Sequence, residues 1–267
     1  MIDAARFADL LAGYCLEVET GQQVLVRSTP LAAPLLLELQ RAILERGAWP
    51  LLRVDLPGQV EGFYAHARDW QLDEFPELAL LEARKANATL SIQAPENTRA
   101  LTGIDPARMA RVARAREPIR EQTLRRRWCT TLWPTQANAQ QAGASMAASE
   151  TFVSRALFLD QPDPVRSWGE LRAFQDELIG RLRTARELRI EAEGTDLRLS
   201  VKGRTWVNSD GRRNMPSGEV FTGPLETSAN GTITFDVPSG PAGVDVAGVR
   251  LRFEDGVVVE ARAERGD

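Results

Sequence analysis

The sequence predicts an α/β protein: an N-terminal open, mostly parallel α/β domain followed by a β-rich (α+β) domain. Three observations lead there. Up to about residue 135, short apolar runs alternate with stretches of helical periodicity, the pattern of βαβ units and a parallel sheet. A long amphipathic pattern then runs from Pro164 to Thr184. After Glu187 the texture changes to short strand-like runs separated by Gly, Asn, Asp and Pro turns. The boundary is placed near 185, which gives domains 1–185 and 186–267.

Each element has a local reason. Phe7, Leu10, Leu11, Tyr14 and Cys15 recur at helical spacing and form one apolar face. Val24-Leu25-Val26 follows Gly21 as a buried strand. Leu35, Leu36, Leu39, Ile43 and Leu44 mark a second helix, with Gly47 as its C-terminal cap. Leu51–Val54 is a second strand, stopped by Pro57-Gly58. Helical patches at Phe63–Trp70 and Leu78–Ala86 precede a third strand at Thr89–Gln93. Asp105-Pro106 sets an N-cap with Pro at the first helical position, for a helix to about Arg116. Trp128–Trp133 is a fourth strand, and the Ala/Gln-rich stretch Thr135–Ser149 reads as a surface connection. In the long helix, Trp168, Leu171, Phe174 or the neighbouring Gln175 face, Leu178 and Leu182 point one way. The β-rich part reads as strands at Leu188–Glu193, Leu197–Val201, Thr205–Val207, Glu219–Thr222, Gly231–Val237, Val246–Phe253 and Val257–Ala263. Ser209-Asp210-Gly211 and Glu254-Asp255-Gly256 read as hairpin turns.

Composition bounds the function. Of 267 residues, 43% are apolar and 26% charged, as in ordinary globular proteins. No run approaches the ~20 apolar residues of a membrane-spanning helix, and the N-terminus lacks the basic segment of a signal peptide, so a cytoplasmic protein with no membrane partner is expected. Two cysteines, Cys15 and Cys129, make no disulfide framework and have no metal-ligand spacing. A single histidine, His66, excludes a His-rich zinc site. A net charge of −4 argues against a dedicated nucleic-acid binder.

The chain has no G-x-G-x-x-G after its first strand, no P-loop, no H-E-x-x-H and no G-x-S-x-G. His66 reads as a structural or surface residue, and Cys15 as core. Cys129 lies beside Arg125, Arg126 and Arg127, which favour a thiolate. Eight arginines between Arg108 and Arg127 are either an anion-binding patch or a solvated helix face. Arg213-Asn214-Met215-Pro216-Ser217-Gly218-Glu219 stands apart: a Pro-Ser-Gly turn launches a strand with one carboxylate at its start. Such a turn aims Glu219 in a defined direction, as a metal or substrate site requires; the plainer alternative is an edge-strand glutamate in water.

Gly194-Thr195-Asp196-Leu197, the run Asn214-Met215-Pro216-Ser217-Gly218-Glu219-Val220-Phe221-Thr222-Gly223-Pro224, Gly231-Thr232-Ile233 with Phe235-Asp236 and Pro238, and the tail Gly248–Ala263 together resemble the aminopeptidase T / aminopeptidase S family of dinuclear metallo-aminopeptidases. More diffuse similarity lies in Glu74-Phe75-Pro76-Glu77 and Trp133-Pro134-Thr135. The resemblance implies a cytoplasmic, homodimeric exopeptidase that releases N-terminal amino acids from peptides with two divalent metal ions, zinc, cobalt or manganese. It also implies that Glu219 is the first metal ligand. In that family a second glutamate, two histidines, an aspartate and a functional tyrosine come later, and this sequence ends before them. The expectation is therefore a C-terminally truncated chain whose catalytic domain, 186–267, is incomplete, which binds no metal pair alone and is inactive alone. The alternative is a non-catalytic remnant or peptide- or partner-binding module of the same fold. A polyanion-binding domain using Arg108–Arg127 is a third reading.

Overall fold

The structure, a computed structural model, describes residues 2–238 and 246–266. It divides into two compact units: Met1–Glu170 with Asp210–Ser217, and Leu171–Ser209 with Gly218–Asp267.

The first unit is built on five parallel strands: β1 (Gln23–Ser28), β2 (Trp49–Val54), β3 (Ala88–Gln93), β4 (Arg127–Leu132) and β8 (Asn214–Met215), in the order β2-β1-β3-β4-β8. Val24, Leu25 and Val26 are all buried, because an interior parallel strand is covered on both faces. Pro50 sits in β2, the edge strand, where a missing N–H interrupts no interior ladder.

Helix α1 (Ala4–Leu10) is capped by Asp3 and continues as a π-helical turn, Leu11–Cys15. Phe7, Leu10, Leu11, Tyr14 and Cys15 are buried, as their spacing predicts. In α2 (Ala33–Glu45), Leu35, Leu36, Leu39 and Ile43 are buried, but Leu44 is 48% exposed and lies off the core stripe. Gly47, at φ 72°, ends the helix in the left-handed conformation that suits glycine. The two helical patches resolve into α3 (Gln59–His66), α4 (Asp69–Asp73) and α5 (Glu77–Lys85). Helix α6 (Pro106–Ala115) starts where Asp105 Oδ1 accepts the Ala107 amide at 2.8 Å, and α7 (Glu117–Arg125) follows.

Two expectations are corrected, and one of two open helix faces is selected. The stretch Thr135–Ser149 is not a plain connection. It holds α8 (Gln136–Gln141) and the start of α9 (Met146–Ala156), because Thr135 and Ser145 cap good helix formers. In α10 (Pro164–Leu182) the buried line runs through Trp168 and Gln175, the second of the two faces left open, while Phe174 is 63% exposed. Ser209-Asp210-Gly211 is not a hairpin turn. The chain there leaves the second unit, adds β8 beside β4, and returns at Gly218. The two units divide inside α10, between Glu170 and Leu171.

The second unit carries a five-stranded antiparallel sheet of β5 (Glu187–Ala192), β6 (Thr195–Ser200), β10 (Asn230–Phe235), β11 (Val249–Glu254) and β12 (Val257–Arg262), ordered β12-β11-β10-β6-β5. The turn between β11 and β12 is the expected one: Asp255 and Gly256 both have positive φ, 47° and 80°, as a two-residue hairpin loop demands. A two-stranded antiparallel ribbon, β7 (Val207–Ser209) with β9 (Glu219–Phe221), completes the unit. Among the described residues no helix is long and apolar enough to cross a membrane.

Candidate metal centre

Glu219 is the first residue of β9 and pairs with Ser209 of β7. The approach is anchored by the Gly218 amide, which donates to the Ser209 carbonyl at 3.0 Å. From α10, the Gln175 side-chain amide donates to the Glu219 carbonyl at 2.7 Å. Gln175 is 2% exposed, so this bond lies in a desolvated setting and holds the strand start in place. Opposite, the Asn208 amide donates to the Arg172 carbonyl at 3.0 Å and to Asp176 Oδ1 at 2.8 Å, tying β7 to the same helix. The backbone of Glu219 is thus fixed from two sides. Its side chain is exposed, and among the described residues its carboxylate has no hydrogen-bond or ion-pair partner.

Sequence reasoning placed Gln175 on a helix face without its bond to Glu219, and missed Asn208. The signal for Gln175 was an amide on the line of an amphipathic helix that buries Trp168; for Asn208 there was none, since its partners are distant in sequence.

The other candidates stand elsewhere. His66 ends α3, exposed, in the first unit. Cys15 and Cys129 are both buried at 1% exposure, and burial, reinforced by the adjacent Cys129 thiol, pushes the Cys15 thiol up. Such a thiol packs as core and does not act as a nucleophile. The arginines of 108–127 are largely engaged within the fold. Arg108 donates to the carbonyls of Tyr64 and Ala67, Arg111 pairs with Asp69 and Asp73, Arg116 lies over the Phe63 ring, and Arg127 pairs with Glu17.

A catalytic zinc needs about three protein ligands. Among the described residues no three His, Cys, Asp or Glu side chains gather where they could hold an ion. The donor set of these residues does not fit a dinuclear centre, and Glu219 stands as a single, well-positioned carboxylate.

A five-stranded parallel sheet in one unit and a separate antiparallel sheet in the other define a mixed α/β protein of two units. The chain belongs to the thermophilic metalloprotease (M29) family, whose model matches residues 3–267. It is 29% identical to aminopeptidase 2 of Geobacillus stearothermophilus over 292 aligned positions, covering 98% of this chain and 70% of that protein. It is 32% identical to aminopeptidase T of Thermus thermophilus over 126 positions, 43% of this chain and 31% of that one. The solved structure of wild-type AmpT from Thermus thermophilus superposes with a TM-score of 0.83 at 25% identity, covering 98% of this chain and 72% of that one. A 2,5-dihydroxypyridine dioxygenase from Pseudomonas putida KT2440 shares the fold at a TM-score of 0.56 and 15% identity, which carries no functional weight.

Proposed function

We propose that this chain serves an aminopeptidase reaction, the release of N-terminal residues from peptides, with two divalent ions of zinc, cobalt or manganese and with Glu219 as one of their ligands. The observation that carries the reading is the family match across residues 3–267, within which Glu219 stands at a rigidly held strand start. One carboxylate does not retain a catalytic metal. The proposal therefore includes inactivity of this chain by itself, because no other ligand set gathers among its described residues. That same observation favours a second reading, a peptide- or partner-binding module of the same fold without hydrolysis.

Two measurements test the assignment. Purified chain assayed on a leucine chromogenic amide with added Zn²⁺, Co²⁺ or Mn²⁺ is expected to show no turnover; metal-dependent turnover that copurifies and vanishes in Glu219→Gln overturns the inactivity. Mn²⁺ titrated into ¹⁵N-labelled chain is expected to broaden the amides of Gly218–Phe221 first, and to lose that focus in Glu219→Gln. Broadening centred elsewhere defeats the ligand role.

A cytoplasmic location and a homodimer belong to the same proposal. Self-association is supported by β12, an edge strand whose Val257, Val258 and Val259 are 63%, 45% and 43% exposed. Exposed apolar edges pair readily with other chains.

A further inference from the structure

Within the first unit, the edge of the sheet where the parallel strands begin carries positive charge that the fold does not neutralise. Helix α5 ends on Arg84 and Lys85, ahead of β3; Arg126 precedes β4, and Arg213 precedes β8. All four residues are exposed. Backbone contacts tie three of them into a row. The Arg126 guanidinium donates to the Arg84 carbonyl at 3.2 Å, and the Arg213 guanidinium donates to the Arg126 carbonyl at 3.2 Å. Arg213 also lies over the Trp128 ring, 5.3 Å from its centroid. Because β3, β4 and β8 are neighbours in the sheet, the row steps across strands spaced about 4.8 Å apart. The carboxylates nearby are already engaged. Glu17 takes Arg127 and Arg212, Asp210 lies 3.6 Å from Arg212, and Glu121 lies 3.7 Å from Arg125. Glu82 is held by Arg27 and Arg53, and Glu19 accepts from Gln22. Among the described residues, Arg84, Lys85, Arg126 and Arg213 have no carboxylate partner.

A carbonyl acceptor orients a guanidinium but leaves its charge in place, and most of its five N–H groups stay open to another acceptor. Helix C-termini attract cations, which accounts for those at the ends of α5 and α7. It does not account for Arg213, which arrives on a separate segment and is laid beside Arg126. In a chain of net charge −4, this row is a local reversal of sign and marks a surface for a negative partner. Nucleic acid suits it poorly. Non-specific binding draws on many phosphates, and an otherwise acidic molecule repels those flanking so small a patch. A short run of carboxylates ends within the row, and each can accept two parallel bonds from one guanidinium. We propose that the Arg84–Arg126–Arg213 row is a docking surface for an acidic segment of another polypeptide. Recognition is through side-chain carboxylates, needs no free N-terminus and includes no hydrolysis. It rests on the row alone and is independent of the reading of Glu219.

The test is a titration of the full ¹⁵N-labelled chain with hexaglutamate, acetylated at its N-terminus and amidated at its C-terminus, read by amide and indole shifts. At about 20 mM NaCl the peptide is expected to move residues 84–88, 125–129 and 212–214 and the Trp128 indole, with a Kd of about 1 mM or tighter. About 150 mM NaCl should weaken binding several-fold, because exposed charges are screened. Arg84→Gln and Arg213→Gln should each weaken it about threefold, and the double variant about tenfold. The Arg84 guanidinium has no partner among the described residues, so its loss leaves the fold intact and keeps the test decisive if Arg213→Gln disturbs β8. Arg183→Gln removes the same charge elsewhere and should leave the affinity unchanged. No saturable shift, shifts centred on other residues, or equal losses in Arg183→Gln and Arg84→Gln overturn the site. A short DNA duplex that binds at about 150 mM NaCl as tightly as hexaglutamate overturns the choice of a polypeptide partner.

Discussion

Trp168 illustrates how one residue holds the first unit together. It is 1% exposed, meets Phe158 edge-on at 5.2 Å, and its indole N–H donates to the Leu157 carbonyl at 3.3 Å. Trp168→Phe keeps a ring but leaves that buried carbonyl without its donor, for an expected loss of about 1–3 kcal/mol. Trp168→Ala adds a cavity and should cost ~3–5 kcal/mol. Urea midpoints followed by far-ultraviolet circular dichroism check both; equal midpoints for the two variants would contradict the hydrogen-bond and cavity accounts. Arg111 makes a different contribution, sensitive to pH. Its bidentate contact with Asp73, at 2.7 and 2.9 Å, holds that carboxyl below the ordinary aspartate value of 3.8. A depressed carboxyl stabilises the fold above its unfolded pKa and loses that contribution as pH falls through the folded value. The difference in urea midpoint between wild type and Arg111→Gln should thus be constant above about pH 5 and shrink on acidification through the carboxylate range. A difference independent of pH would show that Arg111 acts by packing only.

At the scale of the element, the β11–β12 hairpin depends on a single glycine. Gly256 has φ 80°, and a Cβ there would overlap the Glu226 carbonyl. Gly256→Ala must move one backbone or the other, and strain of this kind is worth on the order of 1–3 kcal/mol. Faster amide exchange across β11 and β12, with β1 and β3 unaltered, is the expected outcome; unchanged exchange in β12 would mean the turn adapts freely. Helices α6 and α7 show the converse, elements held by their charges. Arg108 and Arg111 of α6, with Arg116 at its end, reach back to α3 and α4, and Arg126 just past α7 reaches the Arg84 carbonyl of α5, so a row that reads from sequence as an anion patch works in part as an internal clamp.

For the whole molecule, that clamp decides how the charge is displayed. The chain carries 33 basic and 37 acidic residues, and much of its densest arginine run is bonded internally. Non-specific nucleic-acid binding requires several cations free to displace counterions. Fluorescence anisotropy with a labelled oligonucleotide at 0.15 M salt should therefore show no saturable binding. Binding with a steep salt slope would overturn this and restore the polyanion reading.

What the sequence determined by itself is what local chemistry determines. Periodicity placed β1 to β4, α1, α2, α6 and α10; Asp105-Pro106 marked a helix start; Asp255-Gly256 marked a hairpin; and Pro-Ser-Gly put Glu219 at the head of a strand. Each depends on residues within a few positions of one another. Tertiary structure decided the rest. Met215 joins β4 because the Thr131 hydroxyl donates to its carbonyl at 2.6 Å, across 84 positions of chain, and a two-residue strand leaves no periodic trace. Likewise the Gln175 support of Glu219 and the Asn208 contacts with α10 join segments far apart in sequence. Such contacts exist only once the sheets have formed, so no local pattern of residues encodes them.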